Sequence, residues 1–419
     1  MGGAEIKALT GLRGYAALGV CIFHYTLVWP ATGYDNWAMP FARHGNCGVR
    51  VFFVLSGFIL LHVYRTWFDQ AVTAARYGRF MWHRIARIYP LHILLLVIAA
   101  ILILSGTMVA MNRGQFDTPL TFILNMLLVH GWAHPHAMSL AWNSPSWTIS
   151  VEFFAYMFFP FLTVIVRRTY VLALCGILTL VVFESEVQFQ YRFSLLHYST
   201  MFVIGVLACE IFHRYGSRIN SSWPFDAAVV AAGAWLIWRA GYQGWFGTVP
   251  YASAVLIFGL YREGPVGRWL FGNPVAVFLG NISYALYLSH YIVYVLIIAA
   301  ITGEPGWIGT GVHFLGLDRP FIELPLAGTV GMAIVVATTL YYGFERPARR
   351  ALRAFRPAAN DAEGALRAFP PFPTTPKLLR ATQTGPMSAF GTKRTWRSRS
   401  AMSTFGGKAD IGLTPRNVR

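Results

Sequence analysis

The feature that most constrains this chain is its series of apolar runs, each about long enough to cross a bilayer core of roughly 30 Å as a helix. They fall near 8–29, 47–64, 91–111, 146–166, 169–184, 195–213, 225–241, 248–261, 276–300 and 324–344, with a weaker run at 119–132. Backbone groups in lipid must bond within their own segment or in a closed barrel, and runs of this length select helices. With 56% hydrophobic and 12% charged residues among 419, the chain reads as an all-α polytopic membrane protein rather than a soluble enzyme.

Basic residues decide between ten crossings and eleven, because cytoplasmic loops collect Lys and Arg. With ten spans, and 119–132 as a re-entrant or surface segment, one side receives Lys7, Arg65, Arg76, Arg79, Arg84, Arg87, Arg167, Arg168, Arg214, Arg218, Arg262 and Arg268. The other keeps Arg43, Arg113, Arg192, Arg239 and Arg319. About ten transmembrane helices are expected, with both termini cytoplasmic and the first span retained. The formal net charge of +17 does not imply nucleic acid, since residues 345–419 hold 15 Lys and Arg against 4 Asp and Glu. Residues 356–419 lack hydrophobic periodicity and are expected to be a basic, disordered tail on a membrane domain spanning 1–355. Cys21, Cys47, Cys175 and Cys209 have no metal-ligand spacing, and neither a disulfide framework nor a metal site is expected.

Ionisable side chains inside the spans are the candidate functional residues. Arg13 and His24 are eleven residues apart, which returns to within about 20° of one helix face with a rise of roughly 16 Å. Either alone is explained by snorkelling or by a hydrogen-bonded bundle histidine; together they suit a site with its mouth at Arg13 and its chemistry at His24. Residues 63–90 read as an amphipathic interfacial helix, in which Arg84 and Arg87 stand at i and i+3. Anionic lipid accounts for such a stripe, and paired guanidinium forks also suit phosphate. Glu152, in the span after Pro145-Ser146, needs a partner, with His24 or an arginine as the options. Ser283, Tyr287 and His290 make one polar stripe at i, i+4 and i+7, and Tyr284 reads as a helix-interface contact. Ser56 and Gly57 offer a close helix approach. The histidines 130, 134 and 136 have no carboxylate or cysteine beside them and read as loop or cavity lining. Glu345 and Arg346 read as a salt bridge or a helix stop.

Five of these stretches, in order over residues 5–350, resemble the membrane-bound acyltransferase-3 family: Gly11-Leu12-Arg13-Gly14 with His24 eleven residues after the arginine; Gly48 to Phe58; Arg84-x-x-Arg87 followed by Ile88-Tyr89-Pro90; Trp147 to Tyr156; and Leu279 to His290, with Phe344-Glu345-Arg346-Pro347 closing the last span. Thr10 departs from the acid the family commonly has there, which removes an ionic partner at the mouth. The resemblance implies an O-acyltransferase of the bacterial inner membrane, using cytoplasmic acyl-CoA, most simply acetyl-CoA, as donor. It implies His24, Glu152 and Arg13 as catalytic, Arg84, Arg87 and Arg13 as donor-binding, and Arg50, Trp147, Tyr287 and His290 as substrate-binding. A glycan or lipid-linked oligosaccharide is the expected acceptor, reached through the Trp- and His-rich segments 30–46, 112–145 and 302–323, with membrane lipids as the other partner. A covalent acyl-histidine stays open beside direct transfer. A small hydroxylated metabolite as acceptor, and a transporter or flippase built on the same polar residues, are the alternatives.

Overall fold

The computed structural model describes residues 6–28, 45–68, 71–108, 116–132, 136–168, 194–216, 223–241, 248–302 and 326–354. Regular structure among them is helical: α1 (Lys7–Val28), α2 (Cys47–Tyr64), α3 (Ala74–Leu104), α4 (Pro119–Met126), α5 (Trp147–Arg168), α6 (Ser194–Tyr215), α7 (Trp223–Gly241), α8 (Val249–Tyr261), α9 (Pro265–Leu270), α10 (Pro274–Thr302), α11 (Leu326–Leu340) and α12 (Arg346–Ala354), with a π-helical turn at Tyr341–Glu345 between the last two. By length and composition, six described helices can cross a membrane: α2, α3, α5, α6, α10 and α11 with its extension to Ala354; α7 and α8 are shorter apolar helices. The 22 residues of α1 suffice in length, but Lys7, Arg13 and His24 lower its hydropathy. The run at 169–184, the tail, segments 30–44 and 303–325, Trp29, Trp37, Trp307 and Cys175 lie outside the described residues.

Helix directions follow from who touches whom. Between α1 and α10 the contacts Gly14 to Gly280 and His24 to His290 advance together, so the two helices run parallel. Phe53 to Tyr198 and Arg65 to Glu210 make α2 and α6 parallel. Trp147 to Tyr198 and Arg214 to the Arg167 carbonyl do the same for α5 and α6. By contrast, Tyr77 to Phe161 and Phe80 to Phe159 set α3 and α5 antiparallel. The chain therefore leaves α3 and enters α5 at the same end of the bundle. The weak run at 119–132 fits that geometry, since only eight of its residues are helical, in α4, started by a reciprocal Thr118–Thr121 capping box.

Two close approaches fix the centre. A Cβ on Gly14 would stand 2.5 Å from the Gly280 amide nitrogen, and one on Gly280 would collide with the Thr10 carbonyl. Gly57 meets the Phe202 backbone and Gly205 meets that of Val54 in the same way. Small residues let backbones touch where lipid supplies no hydrophobic drive between helices. Around them pack the fully buried rings of Phe58, Phe80, Phe159, Phe202, Tyr291 and Tyr294.

One element differs from expectation. Residues 74–90 of the expected interfacial helix and 91–104 of the expected span form a single helix, α3, of 31 residues and about 46 Å. Thr73 caps it by accepting from the Arg76 amide at 3.3 Å. Pro90 lies inside it and removes the donor to the Ala86 carbonyl without ending the helix.

Candidate functional site

A cavity of about 270 Å³ opens between α1, α2, α3, α5, α10 and α12. Along α2 its lining runs from Tyr64 to Val49, a rise of about 22 Å. One end holds Arg13, Arg84, Arg87, Arg353 and Tyr64; the middle holds Ser56, Glu152 and Tyr156; the far end holds Phe52, Thr148 and Tyr287.

At the arginine end, Arg13 gives Nε and Nη2 to the Gly280 carbonyl at 3.2 and 2.8 Å, a contact that the adjacent glycine crossing makes possible. The Arg84 Nη2 donates to the Tyr64 hydroxyl at 2.8 Å, and its guanidinium lies 5.1 Å from that ring centroid. Arg87, one turn on, makes no hydrogen bond or ion pair among the described residues. The Tyr284 hydroxyl, beside them, donates to the Ile88 carbonyl at 2.5 Å and ties α10 to α3 as a helix-interface contact.

Midway, the Glu152 Oε1 accepts from Ser56 Oγ at 2.5 Å and from the Tyr156 hydroxyl, and Oε2 has no protein partner. This corrects the expectation of a histidine or arginine partner. Tyr156 stands one turn on at i+4 of α5, and Ser56 on the adjacent α2 reaches the same oxygen.

Beyond the Tyr287 end the polar groups continue through rings. The Tyr287 hydroxyl lies 3.0 Å from Thr148 Oγ1, which is also 3.0 Å from the Pro145 carbonyl, and the Tyr287 ring lies 6.1 Å from that of His290. The His290 Nε2 stands 3.1 Å from the His24 Nδ1, with ring centroids 4.9 Å apart. Carbonyls select the tautomers, because a carbonyl only accepts. His290 Nδ1, 3.1 Å from the Leu286 carbonyl, carries a proton, so its Nε2 accepts. His24 Nδ1, 3.0 Å from the Val20 carbonyl, is the donor between the rings. The lone pair of His24 is then on Nε2, which has no protein partner.

Not every candidate joins this line. Arg50 is 3% exposed and lies beside His197 of α6, outside the cavity lining. Trp147 packs edge-on to Tyr198 at 4.9 Å and does not line the cavity either. On the far side of His290, Asn143 Nδ2 holds the Leu288 carbonyl at 3.1 Å, and the buried His130 meets Ser146 Oγ at 3.2 Å. Trp142, buried at φ 63°, donates its amide to Asp117 and its indole to Thr121; Trp132 donates to the Ser150 carbonyl. These two tryptophans fasten the segment between α3 and α5. Burial pushes the Asp117 carboxyl above its usual range, against the pull of the Trp142 amide. Glu345 is paired at 3.8 Å with Arg349 rather than with Arg346, and the helix continues through Pro347 as α12. No group of three metal-ligating side chains occurs among the described residues. The cavity residues that sequence patterns do not single out are Tyr64, Thr148 and Arg353. The last sits on a helix with Arg346, Arg349 and Arg350, whose spacing marks a basic face but not what it faces.

The described helices thus form a bundle with guanidinium groups at one end of a cavity and a histidine pair beyond the other. A family model described as an acyltransferase domain matches residues 6–342, and the chain belongs to this acyltransferase-3 family. It is an O-acyltransferase by that membership and by its relatives. The acyltransferase MdmB of Streptomyces mycarofaciens is 28% identical over 416 residues, covering 90% of this chain and 98% of that one. Proteins of Staphylococcus aureus strains COL and MSSA476, provisionally named O-acetyltransferases, are 22% and 21% identical over 69% of this chain. The chain spans about half the length of these two. No solved structure matches it at a significant level.

Proposed function

We propose that the protein moves an acetyl group from cytoplasmic acetyl-CoA to a hydroxyl of a surface or lipid-linked glycan across a bacterial inner membrane. The observation that carries this reading is the alignment of guanidinium groups at one end of the cavity with the His24–His290 pair past the other. Arg84, Arg87 and Arg13 hold the nucleotide end of the donor, and Glu152 Oε2 accepts from an amide of its pantetheine arm. His24 Nε2 takes the acceptor's hydroxyl proton as the oxygen bonds to the thioester carbonyl carbon. The C–S bond then breaks, and the imidazolium returns the proton to the thiolate. Tyr287, at the far end of the cavity, donates its hydroxyl proton to the oxyanion in exchange for its contact with Thr148.

The topology proposed with it has ten spans and cytoplasmic termini. Antiparallel α3 and α5 together with parallel α5 and α6 support the count, because 119–132 then does not cross between the first pair and 169–184 does between the second.

The test is proton NMR of envelope glycans before and after mild base, in a deletion strain complemented with wild type or His24→Ala at equal membrane levels. Base-labile ester signals are expected with wild type only. Equal ester content in every strain overturns the glycan acceptor, and a thiol released from acetyl-CoA by wild-type membranes then points to a small hydroxylated acceptor.

A further inference from the structure

The arginine end of the cavity receives a contribution from outside the stretches that carry the family resemblance. Arg353, in the last turn of α12, lines the cavity with Arg84 and Arg87. Its place is set by the indole of Trp82 in α3, which donates to the Leu352 carbonyl at 2.9 Å, immediately before Arg353 and close to Arg84 in sequence. The carboxylate lining the cavity, Glu152, is engaged by Ser56 and Tyr156, and no ion pair reaches Arg84, Arg87 or Arg353 among the described residues. Glu345, paired at 3.8 Å with Arg349, also acts on Arg87, and no carboxylate among the described residues faces Arg353; guanidinium groups in excess over carboxylates repel, and their forks match phosphate oxygens. Arg353 is exposed, while Arg84 and Arg87 are half-buried.

We propose that Arg353 is a further phosphate ligand of the donor and takes its outermost phosphate, the one on the ribose, leaving the diphosphate to Arg84 and Arg87. This rests on acyl-CoA being the donor. A lipid headgroup phosphate has the same chemistry, so the test separates the two.

Full-length protein is placed in nanodiscs of phosphatidylcholine, with or without phosphatidylglycerol, and assayed for CoA binding and for thiol release from acetyl-CoA and acetyl-dephospho-CoA, which lacks the ribose phosphate. Arg353→Gln is expected to raise the KM for acetyl-CoA and weaken CoA binding by about 10- to 100-fold with kcat kept, the effect of one charge-assisted contact. With acetyl-dephospho-CoA it should equal wild type. Arg350→Gln, an exposed neighbour outside the cavity, is expected to match wild type with both donors. A wild-type KM for Arg353→Gln, an equal loss with both donors, or a defect confined to discs with phosphatidylglycerol each overturns the proposal. Wild-type protein that neither binds CoA nor releases thiol shows instead that the donor reading has failed.

Discussion

At His24 the chemistry depends on which ring nitrogen keeps its proton. The Val20 carbonyl keeps the proton on Nδ1 and leaves Nε2 to a hydroxyl, while His290, accepting from the same N–H, holds the ring in its plane. His290 in this scheme positions His24 rather than touching the reacting atoms. His290→Ala is expected to lower kcat by about tenfold or more with little change in KM for the donor, a fraction of what general base catalysis supplies. His290→Gln, which can place an acceptor oxygen near Nε2, should recover part of it. Steady-state thiol release on matched membrane preparations reads both, and an unchanged kcat for His290→Ala removes His290 from the mechanism. Arg13 and His24 were legible in the sequence as polar residues on one face of an apolar helix. Their partners were not, since a carbonyl at Gly280 and a ring at position 290 are joined to them only by helix packing.

Among the elements, the α1 and α10 pair carries both the Arg13 anchor and the histidine contact, and its spacing is set by glycine. Gly14→Ala is expected to force the helices apart, costing about 1–3 kcal/mol as overpacking does, and to lower both thermal stability and kcat. Gly331→Ala in α11 is the control, because nothing stands within 4 Å of its added Cβ. There the helix should gain about 0.5–1 kcal/mol. Thermal unfolding followed by detergent size-exclusion compares the two, and equal melting temperatures contradict the packing argument. Helix α3 shows where local reading stops. Periodicity separates a basic amphipathic stretch from an apolar one and Pro90 marks a boundary between them, yet the backbone continues because one missing hydrogen bond is affordable in a long helix packed on α5 and tied to α10 by Tyr284.

For the whole molecule, opposite ends of the bundle are marked by Ser105 after α3 and Tyr215 at the end of α6, both exposed. In a cysteine-free background, Ser105→Cys is expected to react with an impermeant maleimide from outside intact spheroplasts, and Tyr215→Cys only in inverted vesicles. Labelling of both from one side contradicts the helix directions. The all-helical class, the apolar segments and most of the cavity's charged residues follow from the sequence alone, because the cost of polar groups in lipid leaves length, hydropathy and rare ionisable side chains as direct signals. Tertiary structure alone decided that Glu152 is held by Ser56 and Tyr156, that Arg50 and Trp147 stand apart from the cavity, and that Arg353 belongs to it. Those outcomes depend on which helices lie side by side and how closely, and glycine crossings between segments hundreds of residues apart are what set that distance.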